Sequence, residues 1–192
     1  VYDLCAAPGG KTLQLASMGA HVTALDRSAN RLKRLQANLE RMQLTDNVEV
    51  ITADAGSWRP KEPAGYVLLD APCSAPGTLR RHPDVAHLKS ATDITRLQSL
   101  QAALLKNAFK MLMPGGVLVY CTCSLQKAEG EVQVDAFLRD EPNAARLPIT
   151  AQELGGFDEA LSEEGDLRIL PFHQAALGGM DGFYIARLTK NA

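Results

Sequence analysis

Short apolar runs alternate along the chain with longer stretches in which apolar residues recur every three or four positions. The short runs predict strands at residues 1–4, 21–25, 48–51, 66–69 and 117–120. The longer stretches predict helices at residues 13–18, 28–44 and 97–111, and a last one through Val134 and Leu138. Strands that alternate with helices build βαβ units, in which the strands are parallel. The pattern therefore predicts an α/β fold with a doubly wound, mostly parallel sheet.

The last third of the chain departs from this alternation. Residues 143–166 carry six acids and one base, which predicts a solvated excursion. Residues 167–170 and 183–188 then predict an antiparallel pair of edge strands, joined through Gly178 and Gly179. Residues 1–192 are expected to form one domain. A central strand at the very start of the chain predicts that an upstream region is missing.

The charge balance limits what the chain can bind. Its 192 residues include 20 Lys and Arg against 22 Asp and Glu, so the formal net charge is −2. This excludes a protein that holds nucleic acid by overall positive charge, although a local basic patch remains possible. The run Arg80-Arg81-His82 either reaches a phosphate backbone or forms a solvated face. For Arg27, Arg31 and Arg34, along one side of the second helix, a solvated face is expected.

Cysteine usage and hydropathy narrow the cellular setting. The four cysteines are too few for a disulfide scaffold and show no C-x-x-C spacing, so the cytoplasm is expected. No apolar run approaches the ~18 residues of a membrane span, and no signal peptide opens the chain, so no membrane partner is expected. Cys121 and Cys123 lack the usual spacing of a zinc site and a second ligand pair, so no bound metal is expected.

An acidic residue stands at the carboxyl end of each of the first four predicted strands. These residues are Asp3, Asp26, Asp54 and Asp70, and Cys123 follows the fifth strand. Ligands of doubly wound sheets bind in the crevice at this edge. A single Asp in such a place often does no more than cap a turn or a helix. Four of them in series favour a binding site.

The turn after the first strand reads Cys5-Ala6-Ala7-Pro8-Gly9-Gly10-Lys11. It is not a Walker A loop, because the required glycine falls at Cys5, and the dinucleotide pattern G-x-G-x-x-G is absent. Asp26, at the end of the second strand, suits the hydroxyl groups of a ribose. These features favour an adenosine-type cofactor without pyrophosphate, for which S-adenosylmethionine is the obvious candidate.

Cys73 and Cys123 follow two predicted strands that are neighbours in this topology, so their thiols are expected to converge on one cleft. Both lie in tight local contexts, Pro72-Cys73-Ser74 and Thr122-Cys123-Ser124, rather than within apolar runs. The alternative is that they are inert, buried small side chains, as most intracellular cysteines are. Convergence favours nucleophilic chemistry.

Several longer segments together carry a family resemblance. They are residues 3–12 (DLCAAPGGKT), 70–74 (DAPCS), 80–84 (RRHPD), 120–124 (YCTCS) and 179–184 (GMDGFY). They resemble the cofactor loop, the motif IV region, motif VI and the closing segment of the RNA cytosine-5 methyltransferases of the Sun/Fmu (RsmB-like) group. The resemblance spans nearly the whole chain. It implies a Rossmann-like, S-adenosylmethionine-dependent methyltransferase domain with an antiparallel C-terminal edge.

The resemblance also implies a role for each site residue. S-adenosylmethionine would be wrapped by Cys5, Ala6, Ala7, Pro8, Gly9, Gly10 and Lys11. The resemblance implies that Asp26 binds the ribose hydroxyls, that Asp54 lies beside the adenine and that Asp70 borders both cofactor and target base. It implies that Cys123 is the nucleophile and that Cys73 assists product release.

Two segments depart from the family pattern. Residues 75–77 (APG) stand where many relatives have a more glycine-rich turn, and residues 127–130 (KAEG) replace a Pro-Glu-Glu-Asn-like stretch. These departures concern target recognition rather than the two thiols. Relatives also carry an N-terminal RNA-binding region, which is the region expected to be missing upstream of Val1.

The activity that the resemblance implies is formation of 5-methylcytosine in RNA, with small-subunit (16S) ribosomal RNA as the expected substrate. It would proceed through a covalent bond between Cys123 and cytosine C6, and a monomer is expected. Three alternatives stay open: a tRNA enzyme, a DNA cytosine-5 enzyme in which Cys73 is the nucleophile, or an inactive RNA-binding or assembly module. Separate mutation of each cysteine distinguishes the DNA enzyme from the RNA enzymes, and S-adenosylmethionine binding tests the inactive module.

Overall fold

Eight strands form one sheet in the part of the chain that the structure, a computed structural model, describes (residues 1–88 and 90–191). The strands are β1 (Tyr2–Leu4), β2 (Val22–Asp26), β3 (Val48–Thr52), β4 (Ala64–Asp70), β5 (Leu112–Thr122), β6 (Ala144–Arg146), β7 (Leu167–Ile169) and β8 (Phe183–Lys190). The helices are α1 (Gly10–Ser17), α2 (Ala29–Met42), α3 (Val85–Leu88), α4 (Ala91–Lys110) and α5 (Glu131–Asp140).

The sheet follows the order β3-β2-β1-β4-β5-β8-β6, and β7 also pairs with β8. β1 pairs in parallel with β2 and β4, and β3 and β5 extend the parallel part on either side. The predicted α/β fold with a mostly parallel sheet and an antiparallel edge is confirmed. Because β1 to β5 run in one direction, the residues that follow them collect at one edge of the sheet.

Two expectations about the C-terminal region are wrong. β8 is not an edge strand, because β5 flanks it on one side and β6 and β7 flank it on the other. Its inward side chains Tyr184, Ala186 and Leu188 are fully buried. Residues 143–166 are not wholly a solvated excursion, since Ala144–Arg146 forms β6. These three residues carry no strand pattern of their own, and the backbone groups of β8 supply their pairing.

Helices cover both faces of the sheet. In β2, Ala24 packs with Leu32, Leu35 and Leu39 of α2, whereas the next residue, Leu25, belongs to the larger core with α4 and α5. Successive strand residues point to opposite faces, so α2 lies on one face and α4 and α5 lie on the other. Among the described helices, none is both long and apolar enough to cross a membrane.

The turn between β1 and α1 requires glycine at position 9. Gly9 has a φ of 107°, a conformation that L-residues with a side chain rarely adopt. A Cβ atom there would lie 2.9 Å from Cγ of Leu35. The turn therefore packs closely on α2. The other residues of the turn line the cavity at the carboxyl edge of the sheet.

Candidate active site

The residues that were predicted to form a site meet at the carboxyl edge of the parallel strands. Asp3 lies in β1, Asp26 ends β2, Asp70 ends β4, and Cys123 follows β5 directly. Two cavities open at this edge, and Cys5 lines both of them. The fold thus brings together acids and thiols that are far apart in the sequence.

The first cavity lies between the ends of β2 and β3 and helix α4. Its lining includes Asp26, Asp54, Pro72, Leu100 and Leu104. Asp54 is exposed, and its Oδ1 accepts a hydrogen bond from the backbone N–H of Gly56 at 2.7 Å. Two carboxylates beside apolar side chains suit a flat heterocycle that is attached to a sugar.

The second cavity is formed by the turn after β1. It is lined by Asp3, Cys5, Ala6, Ala7, Pro8, Gly10, Lys11 and Asp70. Gly9, which was also predicted to bind the cofactor, lies outside the linings of both cavities and packs on α2. The turn therefore offers most of its predicted residues to a ligand, while Gly9 shapes the turn.

Asp3 is a buried carboxylate with spare hydrogen-bonding capacity. Its Oδ2 accepts a hydrogen bond from Oγ1 of Thr12 at 2.5 Å, whereas its Oδ1 has no partner among the described residues. Burial raises the pKa of Asp3 to about 7. An unpartnered buried oxygen that lines a cavity is a natural site for a hydrogen-bond donor or a cation. From the sequence, Asp3 was expected at this edge but had no assigned ligand.

Asp26 is held in place from three directions. Its Oδ1 accepts a hydrogen bond from Ser28 N at 2.8 Å, and its Oδ2 accepts one from Ala7 N at 3.3 Å. Nη1 of Arg31 lies 3.2 Å from the same Oδ2. Arg31 is exposed, as expected of a solvated face, but its guanidinium also folds back over the end of β2 to pair with Asp26. Helical spacing cannot show such a turn of the side chain.

Asp70 forms an ion pair with Lys11, whose Nζ lies 2.7 Å from Oδ2. The other oxygen, Oδ1, lies 3.6 Å from Sγ of Cys121. The Lys11 ammonium also lies 5.0 Å from the ring centre of Phe183, the first residue of β8. Lys11, which was predicted to hold the cofactor, therefore also connects Asp70 to the closing segment.

The thiols of Cys73 and Cys123 converge as expected, with their Sγ atoms 3.4 Å apart. The pKa of Cys123 is lowered because the Cys73 thiol donates a hydrogen bond to it. The pKa of Cys73 is raised by the same bond and by burial. Burial raises the pKa of Cys5 to about 12 and that of Cys121 well above the ordinary value. Cys123 is therefore the cysteine that most readily becomes a thiolate.

Among the described residues, no group of three or more His, Cys, Asp and Glu side chains is placed to hold a metal ion. All four cysteines have free thiols.

Gly77 connects the loop after β4 to the loop after β5 and to the closing segment. Its N–H donates to the carbonyl of Cys123 at 3.0 Å, and its own carbonyl accepts from Gly182 N at 2.8 Å. A Cβ atom at Gly77 would lie 2.1 Å from the carbonyl oxygen of Gly182. In the same turn Ala75 has a φ of 62°, a left-handed conformation that favours glycine. The departure at residues 75–77 thus places an alanine where glycine is less strained.

Glu129 contacts both thiol loops, although in the sequence it stands out only as part of a departure from the family pattern. Its side chain is fully buried and accepts hydrogen bonds from Ser74 and Ser124, each of which follows one of the two cysteines. An acid just before an amphipathic helix is usually a solvated residue. The local sequence therefore contains no signal of its burial.

The basic run after Cys73 is partly neutralised. Nε of Arg81 donates to Oδ2 of Asp181 at 2.7 Å, and the guanidinium of Arg80 donates to the carbonyl of Gly178. Both arginines and His82 are exposed. Contact between this run and a phosphate backbone stays a prediction.

Over nearly its whole length the chain is similar in sequence to a family of ribosomal RNA methyltransferases. The sequence profile of the family described as 16S rRNA methyltransferase RsmB/F matches residues 1–189. Ribosomal RNA small subunit methyltransferase B of Vibrio cholerae is 43% identical over 195 residues, covering 99% of this chain and 41% of the relative. The protein of the same description from Pseudomonas putida is 42% identical over 198 residues, covering 100% and 43%. The chain therefore spans less than half the length of these curated relatives.

Solved structures show the same similarity. NSun6 from Pyrococcus horikoshii, determined with SFG, matches with a TM-score of 0.83 and 29% identity, covering 100% of this chain and 47% of that one. A methyltransferase homolog protein from Pyrococcus horikoshii matches with a TM-score of 0.77 and 32% identity, covering 98% and 60%.

Proposed function

Because the chain belongs to the 16S rRNA methyltransferase RsmB/F family, we propose that it transfers a methyl group from S-adenosylmethionine to C5 of a cytosine in ribosomal RNA. The contact between the thiols of Cys73 and Cys123, at 3.4 Å, carries this proposal. C5 of cytosine is too poor a nucleophile to take a methyl group directly, and a thiolate that adds at C6 makes it enamine-like. Residues 1–192 are then the catalytic domain. Since one chain supplies the thiols, Asp70 and the cavities, a monomer suffices.

The two cavities that meet at Cys5 suit S-adenosylmethionine, which when bound supplies an electrophilic methyl group on a sulfonium. The unpartnered Oδ1 of Asp3 suits the ammonium group of the methionine part. Oδ1 of Asp26 accepts one hydrogen bond and has capacity for a ribose hydroxyl. Asp54, which lines the first cavity, would lie beside the adenine. NSun6 from Pyrococcus horikoshii was determined with SFG, an analogue of S-adenosylmethionine, which supports this methyl donor.

Cys123 is the nucleophile because its surroundings favour the thiolate. Its Sγ attacks C6 of the cytosine, a C–S bond forms, and the C5–C6 π electrons become available at C5. C5 would then take the methyl group from the bound donor, and the bond between that methyl group and the sulfonium sulfur would break with its electron pair left on the sulfur. The lowered pKa of Cys123 makes this the thiol to start the reaction, whereas the raised pKa of Cys73 disfavours the DNA-type assignment of the nucleophile.

Asp70 positions the target base beside the thiol. Its Oδ2 is already paired with Lys11, which leaves Oδ1 as the acceptor for the exocyclic amine of cytosine. When the base is protonated at N3, the same carboxylate stabilises the positive charge of the adduct. A base within a helix is out of reach of this edge, so the target cytosine lies in a loop or is flipped out.

Cys73 assists product release. After methyl transfer a base removes the C5 proton, the electron pair restores the C5–C6 double bond, and the C–S bond to Cys123 breaks. Cys123 leaves as a thiolate, which the hydrogen bond from Cys73 stabilises. Free thiols this close together fit a reducing compartment such as the cytoplasm.

The covalent step is tested by replacing the two cysteines separately in the complete natural protein. Cys123→Ala should form no adduct and should lose methyl transfer. Cys73→Ala should still attack and methylate, but it should stall with RNA attached through Cys123. On a denaturing gel with RNA and S-adenosylmethionine, Cys73→Ala should therefore show a shifted band that the double variant lacks.

The opposite pattern, with the adduct in Cys123→Ala, would exchange the two roles and support the DNA-type chemistry. No adduct in either single variant, with full activity in both, would make both cysteines structural. The substrate is tested by bisulfite sequencing of total RNA from cells with and without the gene. A lost 5-methylcytosine in small-subunit ribosomal RNA is the expected result, and a loss confined to tRNA would contradict it.

A further inference from the structure

Glu129 is a buried carboxylate that the steps above do not use. It ends the turn Lys127–Glu129 between β5 and α5, and none of its surface is exposed. Its Oε1 accepts hydrogen bonds from Nε2 of Gln101 at 3.1 Å and from Ser74 N at 3.0 Å. Its Oε2 accepts from Oγ of Ser124 at 2.6 Å and from Oγ of Ser74. None of the ion pairs found among the described residues includes it.

Burying a carboxylate that has no neighbouring cation is energetically unfavourable. A buried carboxylate without a cation loses its hydration, and only several hydrogen-bond donors offset that loss. An apolar side chain of similar volume often fills such a space at no loss of stability. Glu129 instead draws four donors from three separate segments of the chain.

Two of the segments carry the reacting thiols. Ser74 directly follows Cys73, and Ser124 directly follows Cys123, so the carboxylate of Glu129 joins the two thiol loops. The third segment is α4, whose Gln101 also donates a hydrogen bond to the carbonyl of Pro72 at 2.9 Å. The loop after β4 is therefore held on both sides of Cys73.

The thiol contact depends on the spacing of these loops. A hydrogen bond weakens steeply as its geometry departs from the optimum, and a thiol is a weak donor from the start. If the two loops moved apart by even about 1 Å, the hydrogen bond from Cys73 to Cys123 would weaken, and the pKa of Cys123 would rise.

We propose that Glu129 is a positioning residue, which holds the two thiol loops at the separation at which Cys73 donates a hydrogen bond to Cys123. The catalytic consequence rests on the proposed function. The effect on the thiols does not, because it is a property of the protein without RNA or S-adenosylmethionine.

The test replaces Glu129 by Gln, which keeps the size of the side chain but turns one acceptor oxygen into a donor. In the complete natural protein, without RNA or cofactor, alkylation of Cys123 by iodoacetamide is followed by mass spectrometry. At neutral pH the rate should fall at least about fivefold, and the midpoint of its pH profile should move to higher pH.

Methyl transfer gives a second measurement. The kcat of Glu129→Gln should fall about tenfold or more. The Kd for S-adenosylmethionine should stay unchanged, because Glu129 is absent from the linings of both cavities at Cys5.

Asp166→Asn is the matched control for loss of a buried carboxylate. Asp166 is 3% exposed and accepts a hydrogen bond from the hydroxyl of Tyr184 at 2.5 Å. This variant should lower the Tm without changing the alkylation profile of Cys123. Ser124→Ala removes a single donor to Glu129, so it should slow alkylation less than Glu129→Gln. When Ser124→Ala is combined with Glu129→Gln, it should slow alkylation of Cys123 little further.

Normal alkylation profiles in folded Glu129→Gln and Ser124→Ala would overturn the proposal. If Glu129→Gln does not fold, the profile of Ser124→Ala decides the question alone. If the wild type shows no methyl transfer while alkylation slows as expected in Glu129→Gln, the proposed function fails and the positioning role stands.

Discussion

At the scale of single residues, side chains of the same type differ in pKa because their surroundings differ. Burial raises the pKa of Asp3 to about 7, whereas a donated hydrogen bond lowers the pKa of Cys123. Burial raises the pKa of Cys5, another free cysteine, to about 12. The four acids at the carboxyl ends of the strands and the four cysteines are therefore not equivalent groups, and only some of them are placed for binding or chemistry.

Replacing Asp3 by Asn is expected to remove part of the pH dependence of stability. The pKa of Asp3 is about 7 in the folded protein against an ordinary value of 3.8, so the folded state binds more protons than the unfolded chain between these values. The stabilisation by protonated Asp3 is fully present at pH values below the ordinary pKa of 3.8. It is lost as pH rises through the folded pKa.

Urea unfolding at about pH 5 and about pH 8 measures this effect. Each pKa unit corresponds to about 1.4 kcal/mol, so the wild type should lose roughly 1 kcal/mol or more between these conditions relative to Asp3→Asn. Equal losses in the two proteins would contradict a raised pKa for Asp3.

At the scale of elements, α4 serves both halves of the site. Leu100 and Leu104 line the first cavity, whereas Gln101, between them in the sequence, donates to Glu129 at the thiol loops. One rigid helix therefore connects the cofactor cavity to the pair of thiols. The loop after β4 rests on this helix through Gln101, and Gly77 joins it to the loop after β5 and to the closing segment.

Replacing Gly77 by Ala should separate the closing segment from the thiol loops. The new Cβ would lie 2.1 Å from the carbonyl oxygen of Gly182 and 2.7 Å from that of Cys123, both of them backbone atoms that cannot move alone. We expect a loss of roughly 3 kcal/mol in the free energy of unfolding, and loss of methyl transfer. Urea unfolding measures the first effect.

Gly65→Ala in β4 is the control, because its Cβ would meet only Sδ of Met113 at the ordinary contact distance of 3.5 Å. It should change stability by less than about 1 kcal/mol. Equal effects of the two substitutions would contradict a specific requirement for glycine at position 77.

At the scale of the whole molecule, the charge predicts weak RNA binding by residues 1–192 alone. The formal net charge is −2, and Arg81 in the exposed basic run is already paired with Asp181. Few phosphate contacts give a shallow salt dependence. Affinity measured by fluorescence anisotropy should fall only about tenfold between roughly 50 mM and 200 mM salt. A loss of 10³-fold or more, on the order expected for six or more phosphate contacts, would contradict this.

The order of the first five strands, the carboxyl-edge acids and the convergence of Cys73 and Cys123 could be predicted from the sequence. They follow from local hydrophobic periodicity and from one rule of topology, that parallel strands end at the same edge. The turn from Cys5 to Lys11 could be located in the same way, because its glycines and proline interrupt the periodicity.

The inner position of β8, the strand β6, the return of Arg31 to Asp26 and the burial of Glu129 could not be predicted in this way. Each depends on partners that are distant in the sequence: β6 exists because β8 offers backbone groups, and Glu129 is buried because two serines and Gln101 surround it. The same holds for the pKa values, since burial and a thiol from another loop set them. Hydrophobic periodicity reports which face of an element is apolar, whereas these contacts form only when the elements pack together.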